Sequence, residues 1–129
     1  LAPRVLRTGR VDDAVRSWLL HHASVLAYPS LDEGFGFPLL DAMQARVPVV
    51  AATAGSIPEV AGDAALLCDA LDPHGLAEAL ATALDDEATR TRLVAAGDAQ
   101  CRRFSWAHCA EEMVSLYGRV VRGEAGSQR

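Results

Sequence analysis

The sequence predicts an α/β fold: a parallel β-sheet flanked by helices, followed by an all-helical segment. Three observations carry this. Short β-rich runs alternate with helical periodicity through residue 69, and such alternation implies parallel strands joined by helical crossovers. Two of the runs, VLAYP at 25–29 and PVVAA at 48–52, are continuously apolar, as expected of strands buried on both faces. Beyond Asp69 no strand pattern recurs, and apolar residues return at helical spacing.

Four runs are expected as strands: RVLRTG (4–9), SVLAYP (24–29), PVVAAT (48–53) and AALLCD (64–69). Between the first two, DDAVRSWLLHHA reads as a helix capped by Asp12, with Val11, Val15, Trp18, Leu19 and His22 on one face. Phe37 to Arg46 reads as a second, short helix, with Pro38 at its first position. IPEVAG (57–62) is one further helical turn closed by Gly62. Asp72-Pro73 is a cap followed by a helix-opening proline, and Leu76, Leu80, Ala83 and Leu84 follow at helical spacing. Leu93, Gly97, Cys101 and Phe104 form the next stripe. Ser105 caps a last helix whose stripe is Trp106, Cys109, Ala110, Met113, Leu116, Tyr117 and Val120. Trp18 and Trp106 are accordingly expected in core stripes rather than on a ligand, and residues 123–129 are expected to fray.

The chain has 129 residues, half of them apolar, which suffices for one domain with a core. Its net charge of −5 argues against a general nucleic-acid or membrane-surface binder. All twelve basic residues are arginine, so lysine chemistry is excluded. Cys68, Cys101 and Cys109 lack metal-ligand spacing and read as buried reduced thiols in a cytoplasmic setting. No metal site is expected: His21 and His22 suit a helix C-terminus, His74 is expected at the surface, and His108 and Cys109 are adjacent on a helix and do not share a face. Leu1 is not Met and no signal-peptide core follows it, so a piece of a longer protein is expected.

The chemistry concentrates in LDEGFGFPLLDAMQARVPVV, residues 31–50. Leu31 to Phe37 falls between a strand end and a helix start, the edge where open parallel sheets bind ligands. Gly34 and Gly36 let the backbone approach a ligand closely, and the N–H groups leading into the helix favour an anion such as a phosphate. Glu33 and Asp41 only accept hydrogen bonds and repel phosphate, so they suit hydroxyl groups. A ligand with hydroxyls at both ends of a diphosphate, a nucleotide-sugar, fits that arrangement. On these residues alone an ordinary strand-to-helix connection is an equal reading. The dinucleotide fingerprint fits poorly, because Pro38 and Leu39 stand where it needs a glycine.

Taken over a longer span, Pro29-Ser30, Glu33-Gly34-Phe35-Gly36, Asp41, Pro48-Val49-Val50 and Gly55 to Val60, in that order, closely resemble the nucleotide-sugar-binding half of the retaining GT-B glycosyltransferases of group 1, many of them bacterial mannosyltransferases. The resemblance runs from RVLRTGRV to Phe104-Ser105-Trp106. It implies a Rossmann-like sheet, the C-terminal half of a GT-B fold, with residues 1–122 as part of a nucleotide-sugar-binding domain. It implies that Glu33 orients the donor sugar, that backbone N–H groups of Gly34, Phe35 and Gly36 meet sugar and diphosphate, and that Asp41 takes the ribose. Val11 would pack the nucleobase. Hexosyl transfer with retention would need no metal or cofactor, the nucleoside-diphosphate sugar being the donor substrate.

Three departures stand out. Asp41 is one methylene shorter than the usual Glu. Arg46 replaces a Gly that normally stops the preceding helix in the left-handed conformation. The basic pair for the diphosphate and the N-terminal acceptor domain are not among these residues, so this chain alone is expected to bind donor weakly and transfer nothing. Any peripheral membrane contact would lie in those other regions, and open strand edges offer a route to self-association. The competing readings are a non-catalytic structural or assembly module and a sugar-nucleotide epimerase on the same fold.

Overall fold

A computed structural model describes residues 4–124. In chain order the elements are α1 (Asp13–His22), β1 (Leu26–Tyr28), α2 (Phe37–Gln44), β2 (Val49–Ala52), α3 (Ile57–Ala61), β3 (Ala65–Cys68), α4 (Pro73–Asp85), α5 (Glu87–Arg103) and α6 (Trp106–Val121). The three strands form a parallel sheet in the order β1-β2-β3. Val49 stands opposite Leu26 on one side and Ala65 on the other, so β2 is the central strand.

All four residues of β2 are fully buried. Successive strand side chains point to opposite faces, so both faces of β2 are covered. β1 and β2 contact α2, while β2 and β3 contact α4. The core gathers Leu39, Ala42 and Met43 of α2, Val49, Ala51 and Ala52 of β2, and Ile57 and Ala61 of α3. α5 closes over α2, where Gly97 lets the helices approach: a Cβ there would stand 3.1 Å from Met43 Cγ.

The caps follow local chemistry. Asp12 accepts from the Val15 N–H at 2.8 Å, Asp72 from the His74 N–H at 3.0 Å, and Ser105 from the His108 N–H at 3.1 Å. Each satisfies one of the amide donors that a helix start leaves unpaired. Gly62, at φ 50°, closes α3.

Four sequence expectations need correction. Residues 4–9 form no strand: they lie exposed, Arg4 in a 3-10 turn and residues 5–9 in irregular backbone, with no neighbouring strand among the described residues to pair their N–H and C=O groups. β1, expected to be buried on both faces, is an edge strand with Ala27 exposed. The α1 stripe is uncovered, with Val15, Trp18 and Leu19 all exposed; Leu20 and Ala23 make the packing contact instead. Trp18 stacks on His22 with ring centroids 4.2 Å apart. The α6 stripe is also uncovered, Trp106 being 80% exposed, because no element among the described residues packs on it.

Two smaller differences are local. α2 ends at Gln44, two residues before Arg46. All three cysteines are free, but Cys109 is exposed and Cys68 and Cys101 only half-buried. Gly123 and Glu124 follow α6 as a turn and an irregular residue, and the rest of the expected frayed tail lies outside the described residues. None of the described helices is long and apolar enough to cross a membrane.

Candidate functional site

Glu33 sits half-buried on the loop from β1 to α2. Its position is set from behind by the turn after β2. The Ser56 N–H and hydroxyl both donate to the Glu33 carbonyl, at 3.2 and 3.0 Å. Gly55 lies against the same peptide at φ 52°, and a Cβ on it would fall 2.4 Å from the Glu33 carbonyl oxygen. Only glycine tolerates both that backbone angle and that closeness. The Gly-x-x-Pro-Glu-Val element is thus the support of the Glu33 loop.

The Glu33 carboxylate is held at both oxygens. The Tyr28 hydroxyl at the end of β1 donates to Oε2. The Gly34 N–H donates to Oε1 at 3.1 Å and the Phe35 N–H reaches the same oxygen at 3.5 Å. The Tyr28 hydroxyl, then the Phe35 N–H and its neighbours at Gly34 and Gly36, hold the carboxyl below the usual glutamate range. The same hydrogen bond, with burial and the nearby negative charge, pushes the Tyr28 phenol above its usual value. The N–H groups of Gly34 and Phe35 thus converge on an anion, the chain's own carboxylate.

Gly36, buried and at φ 95°, turns the chain into α2, where Pro38 lies in the first turn and needs no N–H partner. This brings Asp41, one turn into the helix, to the surface of α2 facing α1. There the Arg16 guanidinium donates to Asp41 Oδ2 at 2.6 Å. Asp41 lines two cavities. One, of about 280 Å³, is bounded by Arg16, Ser17, His21 and Gln44. The other, of about 550 Å³, opens among Phe35, Phe37, Phe104 and Trp106 and does not include Glu33. Phe35 meets Phe37 at 4.6 Å and Phe104 edge-on at 5.8 Å between centroids, so the glycine-bracketed aromatic anchors the loop to the end of α5.

The structure therefore brings Glu33, Gly34, Phe35 and Gly36 into one turn, with Asp41 on the helix it opens. Val11 is half-buried just ahead of the Asp12 cap, and no hydrogen bond or stacking contact joins it to the other candidates. Sequence reasoning missed Tyr28 and Arg16. Tyr28 stood inside an apolar run and read as strand filling. Arg16 sat on a helix whose register against α2 is a tertiary fact.

Comparison with known proteins gives one consistent picture. A family model described as "Glycosyl transferases group 1" matches residues 1–86. The chain is 38% identical over 109 residues to O-antigen chain mannosyltransferase B of Escherichia coli, covering 84% of this chain and 29% of that protein. It is 39% identical over 104 residues to D-inositol 3-phosphate glycosyltransferase of Corynebacterium glutamicum (strain R), covering 79% and 25%. It is 36% identical over 116 residues to phosphatidyl-myo-inositol mannosyltransferase of Mycobacterium leprae (strain TN), covering 88% and 31%. The chain thus spans less than a third of the length of these relatives. Among solved structures, sucrose-phosphate synthase from Thermosynechococcus elongatus superposes on 94% of this chain and 31% of its own, with a TM-score of 0.81 at 27% identity. The sheet and its helices are those of one half of a GT-B fold.

Proposed function

The chain belongs to the group 1 glycosyl transferases, and on that premise we propose that it is the donor-binding portion of a retaining hexosyltransferase using a nucleoside-diphosphate sugar. The observation that carries this reading is the Glu33–Gly36 turn: a carboxylate and converging backbone N–H groups on the strand-to-helix connection, followed by Asp41 one turn into α2. In this reading Glu33 turns from its internal partners to the sugar hydroxyls and orients the sugar for front-face transfer. The N–H groups it vacates then receive sugar and diphosphate oxygens, an exchange of one anion for another in the same turn. Asp41 accepts from the ribose. The acceptor, and the positive charge the diphosphate needs, come from parts of the longer protein, since the described loop offers N–H dipoles but no cation.

Isothermal titration against GDP- and UDP-sugars and their nucleoside diphosphates tests this. Binding is expected to be weak for the 129-residue chain and to fall with Glu33→Ala for the sugar nucleotide only. No binding of any of these ligands by this chain or by an upstream-extended one refutes the reading.

One observation favours a second reading, a non-catalytic module. Both carboxylates already have internal partners, Glu33 in Tyr28 and backbone N–H groups, Asp41 through Oδ2 in Arg16. That reading requires Glu33→Ala to leave nucleotide-sugar binding unchanged. An epimerase, by contrast, would convert donor in the absence of acceptor.

A further inference from the structure

Arg16 lies outside every motif in the sequence, yet among the described residues it makes the one side-chain hydrogen bond to Asp41. Its Nη1 donates to Asp41 Oδ2 at 2.6 Å, while its Nη2 lies 3.4 Å from Asp13 Oδ1. Both partners are substantially solvated, with side-chain exposures of 54% for Arg16 and 32% for Asp41, and exposed pairs of this kind add little to stability. What the contact does change is conformational. A carboxylate on a free rotamer must be ordered when a ligand binds, whereas one already held has lost that freedom beforehand. The guanidinium occupies Oδ2 and leaves Oδ1 with no hydrogen bond among the described residues. A carboxylate oxygen has lone pairs for two hydroxyl donors, enough for one edge of a ribose. The held carboxylate and the guanidinium also share the wall of the cavity of about 280 Å³.

We infer that Arg16 is a positioning residue for ribose recognition: reaching across from α1, it fixes the short Asp41 carboxylate so that Oδ1 accepts from the 2′- and 3′-hydroxyls. This rests on the assignment of Asp41 to the ribose proposed above. The guanidinium is not assigned to the diphosphate.

The test is ligand-detected NMR titration of the 129-residue chain with GDP, UDP and ADP, each beside its 2′,3′-dideoxy counterpart. For a base that binds, the ribose form is expected to bind about tenfold more tightly than the dideoxy form, the worth of a charge-assisted hydrogen bond. Asp41→Asn should abolish most of that ratio. Arg16→Ala should lower it about threefold or more while leaving the dideoxy affinity unchanged, and Arg16→Lys should restore part of it. With Asp41 already substituted, removing Arg16 should have no further effect. Equal weakening of ribose and dideoxy forms by Arg16→Ala would place the guanidinium on the phosphates and overturn this inference alone. So would an unchanged ratio in both Arg16→Ala and Arg16→Lys. Absence of binding by the unmodified chain and by an upstream-extended one with every nucleotide would overturn the donor-binding reading and this inference with it.

Discussion

Two regions of the molecule are built from similar apolar periodicity and end differently. Around α2 the apolar stripe finds its partners: Leu39, Ala42 and Met43 are buried against β2, α3 and α5, although Phe37 at the helix start stays exposed. Along α1 and α6, stripes of comparable strength stay in solvent, Trp18 at 59% and Trp106 at 80% exposure. An amphipathic pattern shows that a helix has a face to bury. It says nothing of whether the burying surface is among the residues present.

The largest expected effect tests that contrast directly. Leu39→Ala removes a fully buried side chain under the site loop and should cost about 2–5 kcal/mol. Leu116→Ala and Val120→Ala, on the uncovered face of α6, should each stay within about 0.5 kcal/mol. Urea unfolding monitored by circular dichroism separates the two classes. A loss of several kcal/mol at Leu116 would mean that α6 is covered in solution, and the contrast would break there.

Next in size is Gly55→Ala. Its Cβ meets the Glu33 peptide at 2.4 Å, and φ of 52° adds the left-handed penalty. Overpacking of about 1–3 kcal/mol and a conformational cost of about 1–2 kcal/mol together predict roughly 2–5 kcal/mol. Since the clash is with backbone, the Glu33 loop itself must move. If the loop binds a nucleotide-sugar as proposed, that binding should fall by more than the fraction of unfolded chain explains. Gly34→Ala, with open space at its Cβ, should leave stability nearly unchanged.

A third prediction concerns pH. Glu33 is held below its usual value chiefly by the Tyr28 hydroxyl. A depressed carboxylate contributes stability above its unfolded pKa, about 4.3, and loses it as pH falls through the folded value. The raised Tyr28 phenol contributes below its unfolded value, about 10, and loses its share as pH rises through the folded one. Tyr28→Phe should therefore destabilise most between about pH 5 and pH 9, and the difference from the unmodified chain should shrink as pH falls below the folded Glu33 value. Side-chain carboxyl NMR of Glu33 should move its titration upward in Tyr28→Phe. An unmoved midpoint would mean that the backbone N–H groups alone hold the carboxylate.

Legibility in the sequence follows the same division. Elements whose determinants are local came through: the Asp12, Asp72 and Ser105 caps, the Gly62 stop, the proline-opened α2, and the continuous apolar run of β2. The Glu33–Gly36 turn was legible for the same reason, since its glycines and carboxylate lie within a few residues. What failed was non-local. RVLRTG has strand composition but no strand beside it among the described residues, and composition cannot supply the missing hydrogen bonds. The partners of both candidate carboxylates came from neighbouring elements, Tyr28 from β1 and Arg16 from α1.

Arg46 carries the smallest expected effect and the sharpest test of how local and tertiary terms combine. Its N–H donates to Met43 O at 2.9 Å and the Val47 N–H to Ala42 O at 2.9 Å, the paired bonds of a helix stop that favours glycine. Arg46 adopts the required φ of 61° nonetheless, and its guanidinium reaches Asp98 on α5 at 2.6 Å. Left-handed backbone costs an ordinary residue about 1–2 kcal/mol. The exposed ion pair returns about 0–1 kcal/mol, and a glycine here would lose about 0.5–1 kcal/mol more chain entropy on folding. These terms nearly cancel, so Arg46→Gly should change stability by no more than about 1 kcal/mol in either direction. Arg46→Ala keeps the strain and discards the pair, so it should be the less stable of the two. Asp98→Ala in both backgrounds isolates the pair in thermal unfolding. If Arg46→Gly and Arg46→Ala lose the same amount, the strain of the left-handed stop is no larger than the roughly 0.5–1 kcal/mol of chain entropy that glycine forfeits.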